Sequence, residues 1–359
     1  MVRLDEHGEV SRASRLSVVD GPANHRNKTG RPWQPQRAPD PATPEAAGTT
    51  GQRQRIEEPG AEGPFARASF LDPWWHHLAP RLLKRGEHPA IGRAGWHILA
   101  GWGAADYSQV KPTPDLEVMA ARGLIMPRVA EGSALAEWVG RRSSVTIPYD
   151  VAPGLDLRGG WEHVQSRRSS RTWSGLRRKR KKLEAGGPLE ILHVDDAAGV
   201  REWLPKALRL YVARAAVAKR RGVWQTEKGR RFLEDWMTGL AAEGALDLSF
   251  LMVDGRPEAF IFGISDPASF HLYGLAFDPG SPLSRFSPGE QLLVHALKRA
   301  CETGQSFFDF GVGDEPYKRA WGDGVRAVNA HVLGPEGITR SAIARWFKGR
   351  QAIRVRAKG

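Results

Sequence analysis

Ser287-Pro288-Gly289-Glu290-Gln291-Leu292-Leu293-Val294-His295-Ala296-Leu297-Lys298-Arg299-Ala300, followed closely by Ser306-Phe307-Phe308-Asp309-Phe310, decides how this chain folds. Ser287 reads as an N-cap, Pro288 suits the first helical position, and Glu290 stands where a capping box would close. Leu293, Leu297 and Ala300 recur at helical spacing, so one face is apolar and is expected to lie on a sheet. Ser306–Phe310 reads as a buried strand whose one charge, Asp309, must find a partner or face a cleft.

Upstream, Leu248–Val253 and Glu258–Ile264 flank Asp254-Gly255, the favoured two-residue hairpin turn. Asp266-Pro267-Ala268-Ser269 leads to a third strand, Phe270–Phe277, which Asp278-Pro279-Gly280-Ser281-Pro282 ends. The order is three antiparallel strands, a Gly/Pro loop, a helix and a strand. A helix that opens just past a strand aims unpaired N–H groups and a positive dipole end at the loop, an arrangement suited to an anion such as a pyrophosphate.

This order, with Arg285-Phe286-Ser287-Pro288-Gly289, Phe308-Asp309-Phe310-Gly311 and Asp314-Glu315-Pro316-Tyr317-Lys318-Arg319-Ala320-Trp321-Gly322, resembles the GNAT superfamily. Within it the chain looks most like the acetyltransferase group called BioF2-like or cellulose-biosynthesis-type. The basic helix Leu176–Leu183, ending at Gly186-Gly187, is similar to the opening of that group's second domain. The likeness spans roughly Trp161 to Leu333. It implies an α/β (α+β) fold with a mixed, mainly antiparallel sheet flanked by helices. It also implies a degenerate first GNAT-like half, acyl-CoA (acetyl-CoA) as co-substrate, and an amine of a small molecule, sugar or peptide as acceptor. Kinship with Fem-type ligases, which take an aminoacyl group from tRNA, comes with it.

Composition sets bounds. The 359 residues suffice for two domains and a tail, and 41% hydrophobic content with thirteen tryptophans argues for a sizeable core. The single cysteine, Cys301, excludes an intrachain disulfide or a Cys-based metal site and reads as a small core residue in a reducing cytoplasm. No stretch reaches the ~20 apolar residues of a membrane span. A net charge of +13 points to nucleic acid, an anionic surface or a phosphate-bearing substrate.

Four regions follow. Residues 1–66 have the composition of a disordered tail. Residues 67–160 form the degenerate amino-terminal half, with Leu78, Leu82 and Leu83 at helical spacing, strand-like Trp96–Trp102, a helical Ala134–Val139 and strand-like Ser144–Pro148. Trp74, Trp75, Trp96 and Trp102 read as packing residues. Residues 161–337 form the acyltransferase domain, with helices at Val200–Ala218 (Trp203, Leu204, Leu208, Tyr211 and Val212 inward) and around Phe232–Leu240, and a last strand Ala327–Leu333. Residues 338–359 form a basic tail that reads as an exposed or surface-binding helix. Between Arg167 and Lys182 the chain carries Arg167, Arg177, Arg178, Lys179 and Arg180 among nine cations and no acid. That run suits either a solvated helix face or phosphate contacts, to CoA or to tRNA.

The resemblance assigns a donor-anchoring role to Arg285, Ser287, Gly289, Glu290 and Gln291, although a Glu290 folded into a capping box would put negative charge where a diphosphate sits. For proton transfer, the resemblance makes Tyr317 the expected acid for the leaving thiolate, and Glu315 or Asp314 is the expected base. Lys318 stands by for phosphate or oxyanion; the alternative is that these charges form a surface network. His271 and Tyr273 share a strand face by period two. With Asp309, and with Asp106 and Tyr107 from the first half, they are the expected acceptor-binding set. No P-loop, dinucleotide fingerprint or metal-ligand spacing competes. A catalytically silent binding module of the same fold remains the alternative from another class.

Overall fold

The computed structural model describes residues 63–79, 84–85, 90–93, 95–101, 103–109, 111–219, 222–337, 340–345 and 349. Helix α1 (Ala68–Pro73) and a π-helical turn at Trp74–Leu78 precede strands β1 (Lys84–Arg85), β2 (Ala90–Arg93) and β3 (Trp96–Leu99). Helix α2 (Pro114–Arg122), β4 (Leu124–Ala130), α3 (Ala134–Gly140) and β5 (Ser144–Asp156) complete the amino-terminal part. Then come α4 (Gly160–Ser166), α5 (Ser170–Glu184), β6 (Leu189–Val194), α6 (Ala197–Val217) and α7 (Glu227–Ala242). The chain continues through β7 (Leu246–Val253), β8 (Arg256–Ser265), β9 (Ser269–Phe277), α8 (Pro288–Glu302), β10 (Phe307–Asp309), α9 (Pro316–Trp321) and β11 (Gly324–Leu333).

These strands form one mixed sheet in the order β1-β2-β3-β4-β11-β5-β10-β9-β8-β7-β6. Most pairs are antiparallel; β10 with β9 and β3 with β4 are parallel. The expected hairpin is there: Asp254 and Gly255 take φ of 50° and 69°, as a two-residue turn between twisted strands requires. The strand order interleaves the two halves. β11 lies between β4 and β5, and β5 pairs with both β10 and β11.

Helices α6 and α7 cover one face of the carboxy-terminal strands, α5 and α8 the other. On the first face Trp236 sits among Phe65, Phe70, Phe232, Phe262 and Tyr273, with ring centroids 4.6 to 6.1 Å away. On the second, Leu293, Leu297 and Ala300 of α8 are buried as their spacing predicted.

Some expectations change. β5 runs eight residues past Pro148, because its second half is buried between β10 and β11. Of the tail assigned to residues 1–66, residues 63–66 are described and Phe65 is buried, while residues 1–62 lie outside the described residues. So do Leu82, Leu83, Trp102 and most of the basic carboxy-terminal segment, of which residues 340–345 are helical with Ala344 buried. Val212 is exposed rather than inward. Strand β6 and helix α4 went unread. Their patterns are short, and β6 alternates without a clean apolar face.

Candidate active site

The ladder between the parallel strands β9 and β10 is three residues long, pairing Phe307 with Ser269, Phe308 with Phe270 and Asp309 with His271. β9 continues to Phe277 without β10 beside it, so the strands part just past His271 and Asp309. A bulge at Tyr273, where Phe262 pairs with Gly274 and Gly263 with Leu272, bends β9 at the same place. The chain leaving β10 turns away at Gly311, whose φ is +70°. A Cβ there would lie 2.5 Å from Asp106 Oδ2 and 2.8 Å from Leu272 O, so glycine is required on two counts.

The base of this split is a buried polar cluster. Asp309, 1% exposed, accepts from Tyr107 Oη at 2.8 Å, from the Gly311 N–H at 2.8 Å and from Arg326 at 2.7 Å. His271 Nδ1 lies 3.5 Å from the Asp309 carboxylate, while its Nε2 bonds Ser269 Oγ at 2.9 Å and lies 3.3 Å from Asp266. Burial works against charge on Asp309, but Arg326 and His271 outweigh it and hold the carboxyl well below its ordinary range. Burial also opposes charge on His271, and the carboxylates of Asp266 and Asp309 reverse this, lifting the imidazole to about 9. Tyr107 and Tyr273 are pushed up by burial.

Asp106 is different. Its Oδ2 takes one long bond, 3.4 Å from the Val312 N–H, and the residue keeps partial solvent contact. Its loop is fixed from three sides. Tyr273 Oη donates to Ala104 O at 2.6 Å, the Arg128 guanidinium donates to Ala105 O, and Tyr107 reaches Asp309. Burial raises the Asp106 carboxyl to about 6, against the pull of Arg128 and Lys318.

At the far end of the unpaired β9 edge stands the start of α8. A Cβ on Gly289 would sit 3.5 Å from the Phe277 ring and 3.8 Å from Leu275, ordinary contact distances. Pro288 has no N–H, and Glu290 and Gln291 both donate to Ser287 O. The Gly289 N–H has no protein acceptor among the described residues. The predicted capping box is absent: Ser287 is left-handed (φ 55°, ψ 57°) and makes no side-chain cap. Lys179 of α5 instead donates to Ser287 Oγ at 3.0 Å and Glu290 Oε2 at 3.1 Å, drawing Glu290 aside. Gln291 donates to Leu176 O at 2.9 Å, and Arg285 is exposed with its guanidinium over Phe286.

The charged motif after Gly313 divides. Asp314 is exposed and ion-paired with Arg319. Glu315 is the N-cap residue of α9 and pairs with Lys318 at 3.1 Å. Lys318 is 6% exposed and donates to Val312 O at 2.9 Å and Gly311 O at 3.4 Å, so it pins the turn beneath Asp106. Tyr317 packs half-buried beside Trp321 and its neighbours on the α8 face.

Residues 169–319 match the family model described as an acetyltransferase (GNAT) domain. Over those residues the fold is GNAT-like. Among solved structures, FemX aligns over 74% of this chain and 91% of its own at 9% identity and a TM-score of 0.53. A conserved protein of unknown function from Bacteroides thetaiotaomicron covers 76% and 92% at 12% identity, with a TM-score of 0.49. The L-PGS of Bacillus licheniformis covers 62% and 72% at 13% identity, with a TM-score of 0.43. No curated protein matches.

In the GNAT frame the expected acceptor residues Asp106, Tyr107, His271, Tyr273 and Asp309 converge at the base of the split, with Lys318 beneath them. Arg285, Ser287, Gly289, Glu290 and Gln291 gather at the other end. Sequence reading missed Arg128 and Arg326. Both are single cations in apolar strands, which is the available signal, since a buried charge needs a partner. Of the basic run, Arg167 pairs with Asp323, Arg180 with Glu184 and Lys179 with Glu290. Arg177 donates to Ser174, and Arg178 is exposed. Trp173 is held between Trp161 and Trp321 rather than open for stacking. Among the described residues no group of three or more metal-ligating side chains occurs, and no helix is long and apolar enough to cross a membrane.

Proposed function

We propose that the protein is an N-acyltransferase that moves an acyl group, acetyl in the simplest case, from acyl-CoA to an amine of a small-molecule, sugar or peptide acceptor. One observation carries the reading. The unpaired edge of β9 joins two unlike ends: the Gly289 N–H at the start of α8, and the polar cluster where β9 and β10 part. From His271 to Phe277 is six residues, roughly 20 Å at strand rise. That geometry suits an extended arm whose diphosphate rests on the helix N-terminus and whose thioester reaches the cluster. Lys179 adds positive charge at the diphosphate end, and the unpaired β9 backbone offers donors to the arm and the carbonyl. Tyr317 is the acid for the departing thiolate. Lys318 and Glu315 hold the Gly311–Gly313 turn in place rather than reacting.

A second reading, transfer from aminoacyl-tRNA, rests on the exposed row Arg171, Arg178 and Lys182 along α5. Thermal shift with CoA and with charged tRNA at two salt concentrations separates them. Stabilisation by CoA that survives 0.3 M salt supports the first reading; a response to RNA alone, steeply lost with salt, overturns it. Turnover with a labelled donor then tells an enzyme from a silent module.

A further inference from the structure

Two carboxylates meet where β9 and β10 part, and they are furnished in opposite ways. Asp309 has three hydrogen-bond donors, an arginine partner and almost no exposure, which leaves it no capacity to take up a proton. Asp106 has a single bond of 3.4 Å, keeps solvent contact, and is reached by no ion pair among the described residues, although Arg128 of β4 and Lys318 of α9 flank it. Its Oδ2 lies over Gly311 beside Leu272 O, at the exit of the β9–β10 ladder. Its loop is fixed at Ala104, Ala105 and Tyr107, so the carboxylate is presented rather than mobile.

We infer that Asp106, supplied by the amino-terminal half, is the catalytic base that takes the proton of the acceptor's ammonium group. The inference rests on the acyltransferase reading above and adds to it the group that receives the proton. The ammonium gives one proton to Asp106, and the freed nitrogen pair forms the N–C bond at the thioester carbonyl. The C–S bond breaks with its electron pair on sulfur. A second proton leaves nitrogen as the amide forms, matching the one sulfur takes up, and Asp106 returns its proton to water. The groups facing Asp106 are Arg128, Lys318, Asp309, Tyr107, Tyr273 and the Val312 N–H. Together they leave a base that is ionised at neutral pH yet able to hold a proton in passing, as a pKa of about 6 requires.

The test compares wild type with Asp106→Asn by thiol release from acetyl-CoA, with spermidine, glucosamine and a tripeptide as acceptors, from pH 5 to 9. The expected result is a kcat lower by about 10²-fold or more, an unchanged KM for acetyl-CoA, and loss of the limb that rises near pH 6. Formate is expected to restore part of the rate to Asp106→Ala, which a structural role would not allow. Should the variants fail to fold, aspartate carboxyl 13C NMR of wild type decides: one carboxyl titrating near pH 6 moves when the amine is added. Asp106→Asn with more than a third of wild-type kcat, or with the pH limb intact, sinks the base and leaves the transferase standing. Wild type that releases no thiol, and whose carboxyl is unmoved by amine, overturns both.

Discussion

Asp309 and His271 show how a buried ion cluster becomes a pH-dependent load on the fold. The imidazole sits between two carboxylates and titrates at about 9, against about 6.5 in an unfolded chain. A folded pKa above the unfolded one means that the unfolded state gives up its proton first as pH rises. The contribution of His271 is therefore complete below pH ~6.5 and lost as pH climbs through about 9. Wild type should lose on the order of 3 kcal/mol across that window. His271→Gln, which cannot titrate, should be less stable at pH 6 and flatter from 6.5 to 9.5. Urea denaturation at fixed pH values checks this, and parallel curves for the two proteins would contradict it. Asp309, whose carboxyl is held low, acts in the other direction and only in strong acid, so it does not blur the window.

The elements tell how far sequence can be read. The helix from Pro288, the Asp254-Gly255 hairpin and strands β7 to β9 were legible because local pattern and tertiary role agree. The capping box failed because Ser287 is left-handed and Glu290 answers to Lys179, which is 111 residues away along the chain. Asp106 and Tyr107 carried no periodicity, and what places them is Tyr273, Arg128 and Asp309, all long-range partners. Tyr317 could be noticed as a residue type but not aimed, since α9 is six residues long and its direction is set by the burial of its own Lys318 and Trp321. The Lys179 link gives a prediction at this scale. Both partners are about a third exposed, so Lys179→Ala should cost at most about 1 kcal/mol in stability. It removes the cation that bonds Ser287 and Glu290 at the start of α8, however, and frees Glu290 to face the anion. CoA affinity measured by calorimetry should drop about tenfold or more while the melting point barely moves; equal affinities would place the diphosphate elsewhere.

At the scale of the whole molecule, the family match at 169–319 invites the idea that the carboxy-terminal part is a self-sufficient transferase. The strand order argues otherwise. β10, the strand that bears Asp309, is held on one side by three pairs to β9 and on the other by three pairs to β5. β11 pairs with β5 along its whole length and with β4 from Val328 on, so both its ladders come from residues before 157. Cutting at residue 160 would strip β11 of both neighbours, leave Asp309 without Tyr107, and expose the edge of β10 to water. Arg326, 5% exposed, would keep a carboxylate partner on a strand with no sheet to hold it. A chain of residues 161–337 alone should therefore lack a cooperative thermal transition and show poor amide dispersion by NMR, whereas residues 63–345 should unfold in one step. A folded 161–337 fragment that binds CoA would mean the amino-terminal half is an accessory, and it would remove Asp106 from the chemistry as well.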